Sequence, residues 1–96
     1  MVAEIERWRD EIDAIDGALL DLLNQRARLA LEVGRRKKDA GLPLRDLRRE
    51  RQILQRAMRA SAGPLGPAAV ERLFRAILAE SRRAARSRRE RRQSCA

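Results

Sequence analysis

Apolar residues fall at Ile5, Trp8, Ile12, Ile15, Leu19 and Leu22, and again at Leu29 and Val33. Steps of three and four residues put them on one face of an α-helix. No proline interrupts residues 3–39, and only Gly17 and Gly34 weaken the run, each by about 1 kcal/mol relative to alanine. The pattern predicts one helix of about 35 residues, roughly 50 Å long at its usual rise. That is longer than a domain of this size is wide, so two short helices of the same chain cannot cover its stripe. A second chain is expected.

The stretch "AGLP" at residues 40–43 ends this helix with glycine followed by proline. A second helix is expected over about residues 44–61, with Leu47, Glu50, Leu54 and Ala57 on its stripe. "SAGPLGP" at 61–67 is a turn-rich break, and Pro67 suits the first turn of a third helix. That helix carries Val70, Leu73, Phe74, Ile77 and Leu78 and is expected to run on into the C-terminal end. No strand alternation appears. The predicted fold class is all-α, with long, short and medium helices. They form one domain over residues 1–92, whose last helix leads into a basic end at 82–96.

A chain of 96 residues has a marginal core, which again favours oligomerisation. It has no apolar run long enough to span a membrane, and "MVAEIERWRD" lacks the basic and apolar stretches of a signal peptide. The single cysteine, Cys95, allows no internal disulfide, so a reducing cytoplasm is expected. Histidine is absent, which removes Ser-His-Asp and Cys-His chemistry and every histidine metal site. No metal and no cofactor are expected. The net charge is +9, of which residues 82–92 ("RRAARSRRERR") carry +6. Such an end is a solvated helix terminus or a surface for an anionic partner. Nucleic acid is disfavoured, because Trp8 and Phe74 are the only aromatic residues and both lie on core stripes.

Polar residues interrupt all three apolar stripes. Continuing by four from Leu22 reaches Arg26, and from Val33 reaches Lys37. These two lie very nearly three turns apart on one face, about 16 Å along the axis. Arg26 alone could equally snorkel at the edge of a seam or set its register. Glu50 sits on the apolar side of the second helix, with Asp46 one turn before it and Arg49 between them. Ordinary surface ion pairs would also give that pattern. Ser81 follows Ile77 by four, where it could simply bond its own backbone. Together the signals carry more weight, because buried charges must be paired or must meet a ligand. Arginines and a lysine inside a helical bundle make an anion pocket, and arginine grips carboxylates in bidentate fashion. The guest this predicts is a small dianion with at least one hydroxyl. Within "LPLRDLRRERQIL" at 42–54, Asp46, Arg49 and Glu50 are expected to face inward and Arg45, Arg48 and Arg51 to be solvated.

Three stretches match a known family: "WRDEIDAIDGALLDLLNQRARLALEVGRRK" at 8–37, "PLRDLRRERQIL" at 43–54 and "RLFRAILAES" at 72–81. They contain Arg-x-x-Ile-Asp-x-Ile-Asp, a Gln-Arg pair, Val-Gly-x-x-Lys and Arg-Asp-x-x-Arg-Glu. With them the chain resembles the all-helical chorismate mutases over about residues 5–85. The resemblance implies an intertwined homodimer of three-helix chains, each active site drawing residues from both. It implies that Arg26 and Ser81 hold the ring carboxylate of chorismate, while Arg9 reaches the enolpyruvyl carboxylate from the other chain. Arg9 and Arg26 lie roughly 100° apart around one helix, so a single helix cannot aim both at one pocket. Lys37 would donate to the ether oxygen. Glu50 and the Asp46 backbone would take the ring hydroxyl. Arg49 would sit against Asp46 and add positive field, and Val33 and Leu78 would line the apolar wall.

The implied reaction is the pericyclic rearrangement of chorismate to prephenate, which needs no nucleophile, proton relay or cofactor. Its place would be phenylalanine and tyrosine biosynthesis. The chain departs from the family at Ala85, where the pattern has glutamine or glutamate as a further donor to the ether oxygen. Three readings follow: a weak mutase with Arg82 or Arg86 as partial substitute, a mutase activated by docking on DAHP synthase, or a different substrate. The alternatives are a 4-amino-4-deoxychorismate mutase of a specialised pathway and a non-catalytic basic helical binding module.

Overall fold

The computed structural model describes residues 1–94, with side chains as far as residue 88. Part of the expected basic end, including Cys95, therefore lies outside the described residues. Three helices make up the fold: α1 (Val2–Asp39), α2 (Leu47–Ala60) and α3 (Pro67–Ser94). No strand occurs among the described residues, and none of their helices is long and apolar enough to cross a membrane.

The boundaries follow from local chemistry. Helix α1 ends in Arg36, Lys37 and Lys38, which complement the negative end of its dipole. Gly41 then takes φ 72°, a left-handed conformation that disfavours residues with a Cβ. Its N–H bonds the Lys38 carbonyl at 3.0 Å and the Leu42 N–H bonds the Lys37 carbonyl at 2.8 Å, the pair of bonds of a Schellman stop. Pro43 follows and cannot extend the helix. Helix α2 begins at Leu47, three residues later than its apolar pattern suggests. Asp46 is extended (φ −123°, ψ 95°), and its Oδ1 accepts from the Arg49 N–H at 3.0 Å. This N-cap satisfies a donor that the helix leaves open and fixes the start. Pro67 opens α3, and the Gly66 carbonyl accepts the Val70 N–H at 3.0 Å.

Helix α3 is the hub, packing against both α2 and α1. The buried side chains are Leu54 of α2 and Val70, Leu78 and Ala85 of α3, with Gly34 of α1 beside them. Gly34 permits a close approach, since a Cβ there would stand 3.2 Å from Leu44 Cδ1 and 3.8 Å from Ala85 Cβ. The chain is drawn out to 59 × 31 × 15 Å, its longest extent close to the roughly 57 Å that a 38-residue helix such as α1 spans. Every residue from 1 to 22 is exposed, and burial along α1 begins at Leu23. The stripe is thus uncovered over its first half, with Trp8 50% and Ile15 64% exposed.

Candidate active site

The C-terminal part of α1, the loop before α2, the first half of α2 and the middle of α3 line an open cavity of about 330 Å³. Its size falls within the range of small-molecule sites. Polar residues from all three stripes meet there. Arg26 projects from α1 and donates from Nη1 to Ser81 Oγ of α3 at 3.2 Å. Three turns on, Lys37 closes the same wall, its Nζ 3.4 Å from the Leu44 carbonyl. No carboxylate pairs with Lys37 among the described ion pairs, although two carboxylates, Asp46 and Glu50, line the cavity. Val33 and Leu78 contribute apolar surface, as do Leu29 and Ile53.

Helix α2 presents Glu50 to the interior, with its side chain 17% exposed. Asp46 and Arg49, expected to face inward, line the cavity but are exposed, and Asp46 Oδ1 accepts from the Arg49 N–H in capping α2. Ala85 is buried at the end of the cavity near Gly34, where its methyl supplies no donor. Of the expected site residues, Arg9 alone lies away from the cavity. It sits on the uncovered half of α1, its side chain 70% exposed and 3.7 Å from Glu6.

Arg45 is exposed, as expected, with 55% of its side chain accessible, yet it also lines the cavity and donates from Nε to Glu50 Oε2 at 3.2 Å. It belongs to the loop, so helical periodicity could not place it. Arg48 and Arg51 are exposed, as expected. Arg82 donates from Nη1 to Glu50 Oε1 at 2.6 Å and lines the cavity. The sequence signal for Arg82 is its place three residues before Ala85, where it is expected as a partial substitute for the missing donor. Arg86, the other suggested substitute, is exposed and does not line the cavity. Among the described residues, five cations thus face two carboxylates in one small space. The arrangement suits a guest with more than one negative charge.

The sequence profile of the family "Chorismate mutase type II" matches residues 8–86. The chain belongs to this family. The T-protein of Enterobacter agglomerans is 43% identical over 82 residues, covering 84% of this chain and 22% of that protein. The 4-amino-4-deoxychorismate mutase of Streptomyces venezuelae is 37% identical over 59 residues, covering 62% of this chain and 57% of that protein. The chain therefore spans about a fifth of the T-protein and over half of the Streptomyces mutase. The solved chorismate mutase of Thermus thermophilus (form II) superposes with a TM-score of 0.80 at 33% identity. That match covers 81% of this chain and 89% of the Thermus chain, so the all-α fold is shared over most of both.

Proposed function

We propose that this protein is a chorismate mutase, rearranging chorismate to prephenate in aromatic amino acid biosynthesis. The observation that carries the reading is the set of Arg26, Lys37, Arg45, Arg49 and Arg82 around one cavity with apolar walls. Arg26 and Ser81, already bonded to each other, hold the ring carboxylate. Arg9 from a second copy takes the enolpyruvyl carboxylate. Gripping both ends restricts the substrate to the compact geometry from which the new bond forms. Lys37, without a carboxylate partner, donates to the ether oxygen as the breaking C–O bond leaves negative charge there. Glu50 and the Asp46 backbone receive the ring hydroxyl. Arg49 adds positive field, and Val33 and Leu78 hold the apolar face of the ring.

The working unit in this proposal is an intertwined homodimer. The uncovered stripe of Trp8, Ile12, Ile15 and Leu19 supports it, since a row of large apolar side chains is costly in water. Ala85 supports modest turnover by the isolated dimer. DAHP synthase is the partner whose addition tests whether docking raises it. A cytoplasmic setting accords with the lone cysteine.

The test is to add purified protein to chorismate and follow the loss of ultraviolet absorbance. Prephenate is then confirmed by acid conversion to phenylpyruvate. Absence of turnover by a folded dimer, with and without DAHP synthase, would refute the proposal.

A further inference from the structure

Glu50 is clamped from two sides. Arg82 of α3 approaches one carboxylate oxygen at 2.6 Å and Arg45 of the loop approaches the other at 3.2 Å. Arg82 and Glu50 are 24% and 17% exposed, so solvent screens that contact only in part. Ala85, three residues on along α3, also lines the cavity and carries only a methyl. The charge of Glu50 is therefore matched before any guest enters.

A carboxylate oxygen has two lone pairs, and each oxygen of Glu50 commits one to an arginine. A neutral hydroxyl can donate to a remaining lone pair and brings no net charge. An ammonium could donate at the same point, but it would add a third cation beside two guanidinium groups. Like charges in a partly shielded site repel strongly. A carboxylate without arginine partners would have the opposite preference, because an ammonium would complete its ion pair.

Resting on the mutase reading, we propose that the Arg82–Glu50–Arg45 clamp makes the cavity select a substrate with a neutral hydroxyl on the ring over one with an ammonium at the same carbon. Arg82 is then a specificity-determining residue, acting through Glu50.

The experiment measures kcat/KM for chorismate and for 4-amino-4-deoxychorismate with the wild type, Arg82→Gln and Arg82→Lys. The wild type should favour chorismate by about tenfold or more. Arg82→Gln should narrow that ratio about fivefold, and Arg82→Lys should restore most of it. Circular dichroism checks folding. If Arg82→Gln does not fold, Arg45→Gln, changed in an exposed loop, reads the same ratio. A wild type that turns over the amino compound equally well would overturn the inference and leave the mutase reading standing. So would a ratio unmoved in the folded glutamine variant. Turnover of neither substrate would overturn the mutase reading and this inference with it.

Discussion

Arg26 and Ser81, 55 residues apart in sequence, meet at 3.2 Å across the α1–α3 contact. Each stands where its helix would otherwise bury an apolar side chain. Arg26→Ala should therefore reduce kcat/KM for chorismate by about 100-fold or more while the helical circular dichroism persists. Ser81→Ala removes a hydrogen-bonding group whose partners are charged and should cost about 1.5–3 kcal/mol, appearing mainly in KM. Normal turnover by Arg26→Ala would show that the carboxylate site lies elsewhere.

Lys37 contributes a charge that no described carboxylate neutralises. Under the proposed mechanism its interaction strengthens as the ether oxygen becomes negative. Lys37→Met should lower kcat by about 10²–10³-fold, or 2.7–4 kcal/mol, with a small change in KM. A change confined to KM would assign Lys37 to ground-state binding.

Arg9 and Arg26 provide a direct test of shared sites. Arg9→Ala and Arg26→Ala homodimers should each be nearly inactive. When the two are unfolded together and refolded, the mixed dimers contain one intact site, and about a quarter of wild-type activity should return. No recovery, with mixed dimers demonstrated by mass spectrometry, would exclude Arg9 from acting across the dimer.

The uncovered stripe of α1 predicts the oligomeric state. Ile15→Glu places a charge in the middle of that stripe and should convert the dimer to a monomer in analytical ultracentrifugation. The monomer should lose helix content and turnover together, since its own core contains few buried side chains.

Ala85 faces the cavity where the family pattern has a donor. Ala85→Gln should raise kcat by about tenfold, less than the loss that follows removal of a well-placed donor. A glutamine three residues from Arg82 on the same helix face should also compete with it for space and weaken discrimination against the amino substrate.

Much of the site can be read from four interruptions of apolar stripes. Arg26, Lys37, Glu50 and Ser81 occupy core positions in the pattern, and all four line one cavity. Periodicity works there because a regular helix fixes side-chain direction to within a fraction of a turn. It says nothing of the Glu50 contact of Arg45, which is exposed as expected but precedes α2 and has no helical phase. It also misplaces the start of α2, because the Asp46 side chain caps the helix at Leu47 although Leu44 fits the apolar pattern. The spacing to Ala85 brings Arg82 into consideration, but its contact with Glu50 depends on how α3 lies against α2.

Local residue pattern accounts for the three helices, the break at Gly41 and Pro43, the absence of histidine chemistry and an apolar stripe on α1 longer than its own chain can cover. Those properties follow from local conformational limits and from the count of apolar positions, which no packing arrangement can change. Helix packing sets the convergence of Arg45 and Arg82 on Glu50, the close approach of Leu44 and Ala85 to Gly34, and the place of Arg9 outside the cavity. These contacts join separate elements, and their distances depend on the angles and spacings at which the helices pack, which no single helix encodes.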